Sequence, residues 1–195
     1  MRDARCEAHG PGYGAGVSQR YTPILGTLVY VIDEDAGTVL LVHRTARPDD
    51  EQLGKWNGLG GKVHADEDVV TSAHRELLEE AGIRTEIELR GTISWPGFGP
   101  NGEDWFGFVF VAQYNPRVAG PVPHRNDEGT LHWVPLSTLL DAASPDPAVR
   151  AASGLDFYEG DRYFLPLVFD DDAAVFHGVM PYHDGRPVSW NFTRN

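Results

Sequence analysis

The chain has 195 residues, 41% of them hydrophobic and 23% charged, and carries a formal net charge of −13. That length suits one domain with a full core and is cramped for two, and no apolar run nears the ~20 residues needed to cross a bilayer. The acidity argues against general binding to nucleic-acid backbones, whose phosphates call for basic residues. It leaves nucleotides open, because divalent cations can sit between carboxylates and a polyphosphate. The only cysteine, Cys6, excludes an intrachain disulfide and a Cys-based zinc site, which fits a reducing cytoplasm.

Residues 1–20 lack the apolar core of a secretory signal and have too little hydrophobic matter for an element of their own, so they read as a flexible tail ahead of a single domain over 21–195. Residues 22–32 and 38–43 are rich in β-branched and apolar side chains, and the turn chemistry of Asp33–Gly37 between them makes a hairpin. Residues 46–56, with Pro48, Asp49 and Asp50, read as a loop at the mouth of a site. From Val69 to Ala81 the apolar positions Val70, Ala73, Leu77 and Ala81 recur at helical spacing, with Asp68 as the cap and Gly82 as the stop.

Two further strands are expected over 85–95 and 104–113, joined by GFGPNGE, and another over 130–135. Residues 139–159 suit short helices and loops, and Asp161 to Val168 a helix. Residues 174–181 and 187–193 suit a closing hairpin. The fold class is α/β or α+β, a mixed sheet with helices.

At about 100° per residue, Glu76, Glu79 and Glu80 fall on one acidic face that borders the apolar stripe. Like charges at that spacing repel unless something positive compensates, and hard divalent cations such as Mg²⁺, which prefer carboxylate oxygens, are the natural compensators. Arg75 lies beside Glu79 on the wheel and can orient it by a charge-assisted hydrogen bond. Glu67 belongs to the entry turn, bonding to loop or first-turn amides. The plain alternative for the three glutamates is a solvated helix face.

The wider pattern weighs against that alternative. Gly61, Glu67, Arg75, Glu76, Leu77, Glu79, Glu80, Gly82 and Ile83 match the Nudix box, whose fixed positions coincide by chance with a probability on the order of 10⁻⁸. The sequence therefore resembles the Nudix hydrolases. That resemblance implies a mixed sheet between helices, cleavage of a nucleoside diphosphate linked to another group, and Glu76, Glu79 and Glu80 as metal ligands with the backbone carbonyl of Gly60. GKWNGLGGKV before the box, Glu128 with Trp133 after it, and DRYFLPLVF followed by FHG are similar to the MutT-like branch that hydrolyses oxidised purine nucleoside triphosphates such as 8-oxo-dGTP.

Within that branch the resemblance places Asn57 on the base and Glu128 in the metal site. Its Trp-x-Asp-Asp run falls on Tyr158, Glu159, Gly160 and Asp161, so one acid is kept and a Tyr replaces the Trp. The structural alternatives are a turn role for Asn57, a plain loop for Glu128, and packing for Trp56 and Trp133. His43, His64 and His74 read as ordinary surface or loop residues, since Mg²⁺ favours oxygen.

The resulting expectation is a Nudix pyrophosphohydrolase holding roughly one to three Mg²⁺ ions, with Mn²⁺ as a substitute. Glu76, Glu79, Glu80 and Arg75 are its catalytic set, with Glu79 or Glu80 as the base. The partner is a small nucleotide rather than nucleic acid or membrane, and the protein is a monomer or homodimer. The alternatives are ADP-ribose, a dinucleoside polyphosphate or another such diphosphate compound as substrate, and a non-catalytic nucleotide sensor.

Overall fold

The computed structural model describes residues 21–48, 50 and 52–195, so the expected tail at 1–20 lies outside the described residues. Two strands, β1 (Ile24–Asp33) and β2 (Thr38–Arg44), form the expected antiparallel hairpin, with Val31 opposite Leu40. The segment after β2 is loop until Trp56–Asn57, which pair briefly with β2 as β3. Helix α1 (Val69–Ala81) follows, then β4 (Ile87–Trp95), β5 (Trp105–Gln113), the short α2 (Pro116–Ala119) and β6 (Gly129–Pro135). Next come α3 (Leu136–Ala142), α4 (Pro147–Ser153) and α5 (Asp161–Val168).

The chain closes with β7 (Phe176–Val179), β8 (Tyr182–His183), β9 (Arg186–Pro187) and β10 (Asn191–Arg194). The closing hairpin is only partly as expected. β7 and β10 do pair antiparallel, but β8 and β9 form a separate two-stranded ribbon between them, and β7 also runs parallel to β4.

The eight-stranded mixed sheet runs β10-β7-β4-β5-β1-β2-β3, with β6 also on β2, and its centre is the parallel β1–β5 pair. Alternating side chains send each strand's apolar residues to two faces. One face packs Leu40, Val42 and Phe110 against Ala73, Leu77 and Ala81 of α1. The other packs Leu41, Val109 and Ile93 against Leu139 of α3 and Phe164, Leu165 and Val168 of α5. This is the expected sheet between helices. Among the described residues, no helix is long and apolar enough to cross a membrane.

Helix α1 has the expected bounds because both ends are satisfied locally. The Asp68 carboxylate accepts from the amides of Val70 and Thr71 at 2.9 and 3.0 Å, and Gly82 adopts the left-handed conformation (φ 68°) that lets its amide reach back to Leu78. One member of the expected stripe is corrected. Val70 is 45% exposed, and the buried side is made instead by Ser72, Ala73, Leu77, Glu80 and Ala81. A residue can match the helical spacing and still not pack on the sheet, so spacing alone overstates the stripe.

Candidate active site

The loop before α1 crosses the end of the central strands. Thr27 and Val29 of β1 donate to the carbonyls of Gly61 and Leu59, and Leu59 donates back to Val29. Gly60 sits between these contacts at φ 136°, and a β-carbon there would collide with the Thr27 carbonyl, so only glycine fits. Gly60 thus brings its backbone amide directly onto the Glu80 carboxylate of the helix, while the Gly61 amide faces the Thr27 hydroxyl.

Arg75 is the hub of that junction. Its Nη2 and Nε donate to the two oxygens of Glu67 at 2.7 and 3.0 Å, and its Nη1 donates to Glu76 at 2.8 Å and Glu79 at 3.1 Å. The expected contact with Glu79 is present, but the bidentate partner is Glu67, which also accepts from the His64 amide at 2.9 Å. The Arg75 guanidinium, helped by that amide, holds the Glu67 carboxyl down at about 2. Glu67 therefore does bond a loop amide as expected, and additionally clamps the loop to the helix.

Glu80 has opposite surroundings. It is only 8% exposed, and its Oε2 accepts from the Gly60 amide at 2.9 Å. Burial first, then the charge of Glu128, then that of Glu76, push its carboxyl up to about 9 against the pull of the Gly60 amide. Glu128, immediately before β6, is near enough for its charge to raise the Glu80 carboxyl. Neighbouring carboxyls of this kind share a proton or take a cation between them.

The donor set fits a hard divalent ion, since buried oxygens with surplus negative charge are what Mg²⁺ compensates. Among the described residues no three acidic, imidazole or thiol side chains already close on one point, because Glu76 is turned to Arg75. Glu79 is placed apart, with a side chain 59% exposed at the rim. Gly60 is at the junction, where its amide serves Glu80.

A cleft of about 820 Å³ opens beside these acids, lined by Gly60, Gly61, Glu76 and Glu128, by the cations Arg44, Arg47 and Lys62, and by Asn57, Tyr158 and Asp161. All three expected base contacts therefore face one cavity with the acids. The Asn57 carbonyl oxygen accepts from the Gly58 amide at 3.0 Å, which leaves its NH₂ to face a ligand. Asp161, at the first turn of α5, accepts from the Tyr158 amide at 3.2 Å. Burial pushes its carboxyl up to about 7 in spite of that amide and of Lys55, so near neutral pH it can either donate or accept.

The sequence reading missed the other half of this wall. Phe98, on the loop between β4 and β5, meets the rings of Tyr182 at 4.9 Å, Tyr158 at 5.3 Å and Trp95 at 6.0 Å, and Lys62 Nζ lies 5.4 Å above Trp105. Tyr182 also accounts for the departure at Gly160. Its hydroxyl lies against Gly160, and a β-carbon at 160 would run into that hydroxyl and into the Met180 sulfur, so the second acid of the related pattern would have to displace both side chains. Aromatic residues on a long loop and a late ribbon carry no local spacing signal that could have found them. Of the histidines, His43 stacks on Trp56 at 4.5 Å, which puts both in packing roles.

A second cavity, of about 590 Å³, lies between α4 and the start of α5. Its cations are already committed: Lys55 to Asp156 at 2.8 Å, Arg162 to Glu159 at 3.2 Å and Arg150 to the Ser144 carbonyl.

Comparison with known proteins bears on this geometry. Residues 22–152 match the NUDIX domain. The phosphatase NudJ of Escherichia coli K12 is 28% identical over 129 residues, which cover 64% of this chain and 80% of that protein. Among solved structures, a mutator MutT protein from Bacillus halodurans is 25% identical with a TM-score of 0.65, covering 87% of this chain and 97% of its own. A bifunctional NMN adenylyltransferase/ADP ribose pyrophosphatase from Francisella tularensis, 17% identical, shares the fold with a TM-score of 0.53 over 80% of this chain and 43% of its own. With the box loop and Glu76 lining the cleft and residues 22–152 matching the domain, this chain belongs to the Nudix family as a MutT-like hydrolase of nucleoside diphosphate derivatives.

Proposed function

We propose that the protein hydrolyses a nucleoside triphosphate, with oxidised purine forms such as 8-oxo-dGTP the first to test, to the monophosphate and pyrophosphate. The observation that carries this reading is the shared cleft, in which acids, cations and an aromatic wall face a single space large enough for a nucleotide. Glu76, Glu80 and Glu128, with the backbone of Gly60, are the groups to hold Mg²⁺ or its substitute Mn²⁺. Such an ion supplies charge neutralisation on phosphoryl oxygens and activation of water.

The chain's own residues do the rest. Lys62 and Arg47 neutralise the phosphates, Arg75 fixes Glu76 and the loop, and Glu79 acts at the rim through Arg75. Glu80 is the better placed of the two candidate bases, because it is buried against the Gly60 amide while Glu79 stands at the exposed rim. Tyr158, Phe98 and Tyr182 offer ring faces and edges to the base, while Asn57 and Asp161 offer it a donor and a group able to donate or accept.

The loss of the second acid at Gly160 is what keeps ADP-ribose and other such diphosphates in contention. A panel of canonical and oxidised triphosphates, ADP-ribose and dinucleoside polyphosphates, incubated with Mg²⁺ and resolved by chromatography, tests the reading. Release of pyrophosphate with monophosphate is expected to be fastest from a triphosphate. Cleavage of ADP-ribose with the triphosphates left intact would move the assignment to that class.

A further inference from the structure

We propose that Arg44 is a positioning residue for Glu128, bracing the loop-borne carboxylate over Glu80 by tying it to Asp50. The inference rests on the reading of Glu80 and Glu128 as the ion-holding pair. Arg44 ends β2, and its guanidinium bridges two acids from different parts of the chain. Nε donates to Asp50 Oδ2 at 2.7 Å and Nη1 donates to Glu128 Oε2 at 2.6 Å. The three side chains are only 13%, 9% and 22% exposed, so these charges are little screened by water.

Each end of the brace is itself fixed. The Asp50 Oδ1 accepts from the Gln52 amide at 2.9 Å. The Glu128 amide donates to Asn126 Oδ1 at 2.9 Å, and its carbonyl accepts from the amides of Thr45 and Ala46 at 3.1 Å each. With the backbone held on both sides, the remaining freedom of Glu128 is its side chain, and Arg44 removes it. Among the described residues, Arg44 is the cation hydrogen-bonded to Glu128, which offsets the repulsion of holding that acid against Glu80. Two separate edges of one planar group make the bridge, a geometry that a lysine ammonium does not reproduce. Arg44 also lines the cleft, so the brace stands where substrate phosphates would arrive.

Groups that orient a metal ligand typically change affinity 10- to 100-fold when removed. The test is calorimetric titration of the full chain with Mn²⁺ alone, no nucleotide present, for wild type, Arg44→Ala, Arg44→Lys, Asp50→Asn, Glu128→Gln and the double variant Arg44→Ala/Glu128→Gln, with melting curves alongside. Arg44→Ala should weaken Mn²⁺ binding about tenfold or more, Arg44→Lys should not restore it, and Asp50→Asn should weaken it by less. The double variant should bind no more weakly than Glu128→Gln, because Arg44 acts through that residue.

Mn²⁺ binding by Arg44→Ala as tight as wild type, or tighter, overturns the inference, as does an additive double variant. If Arg44→Ala does not fold, Asp50→Asn decides, and an unchanged affinity there overturns the inference as well. Wild type that binds no Mn²⁺, or Glu128→Gln indistinguishable from it, instead overturns the reading of the ion-holding pair on which the inference rests.

Discussion

Two groups of acids on and around one helix show how differently a fold can treat the same functional group. At the start of α1, Glu67 faces a guanidinium and an amide, and its carboxyl is held near 2. At the end of the helix, Glu80 faces Glu128 and Glu76 out of water, and its carboxyl is pushed up to about 9. The first arrangement is compensated from within and stiffens the loop. The second is left short of positive charge, and a buried surplus of that kind is retained where a ligand ion is to complete it.

The largest expected effect breaks the second group. Glu80→Gln should lower turnover roughly a thousandfold, within the span ascribed to losing a positioned acid–base or ion-holding carboxylate, while Glu79→Gln at the exposed rim should stay within about tenfold of wild type. Steady-state kinetics on both variants checks the contrast, and equal losses would put Glu79 into the site.

The same variant has a stability signature of defined sign. The folded pKa of Glu80 lies above the unfolded value near 4.5, so the native state binds the extra proton and stability declines as pH rises from about 4.5 to 9. Without divalent ions, Glu80→Gln should therefore melt above wild type at pH 8 and show little difference at pH 5. A lower melting temperature at pH 8 would mean the carboxyl is not in fact strained by its burial.

What the sequence disclosed follows the range of the interactions. Helix α1 was legible to its terminal residues because Asp68, the apolar spacing and Gly82 act within a turn of their targets. The box glutamates were legible as a pattern, yet their unequal burial was not, since only the position of the sheet decides that Glu80 faces inward and Glu79 outward. Arg44 and Glu128 meet because β2 pairs with β6 in a register that places Arg44 opposite Gly129, and no local periodicity encodes that. The wall made by Phe98 and Tyr182 likewise depends on two late segments folding back across the sheet. The expected hairpin near the carboxy terminus erred for a different reason. Its two strands were correctly taken to pair, but the segment between them carries its own two-residue turn at Asp184-Gly185, both at positive φ (49° and 72°), which makes the separate ribbon, and the Tyr182 amide docks that ribbon on the Pro96 carbonyl.

A smaller effect is expected from breaking the first group. Arg75→Ala releases Glu67, Glu76 and Glu79 together, and should lower the melting temperature at pH 7 by about 5 °C, as loss of a partly screened ion network does in a domain of this size. Differential scanning calorimetry would decide it. A change below about 1 °C would mean that the clasp orders the site without supporting the fold.

The smallest effect is confined to acid and separates the two groups most cleanly. Because the folded pKa of Glu67 is depressed to about 2, its stabilising contribution is complete above the unfolded value near 4.5 and is lost as pH falls from there through 2. Glu67→Gln abolishes that dependence, so its deficit relative to wild type should be constant from pH 7 down to about 5 and shrink steadily towards pH 3. Glu80 titrates in the opposite sense and over a higher range, so the two substitutions should change the melting curve at opposite ends of the pH scale. A Glu67→Gln deficit that persists undiminished at pH 3 would show that Arg75 holds that position by shape and not by charge, and the contrast between the two ends of α1 would then lose its electrostatic basis.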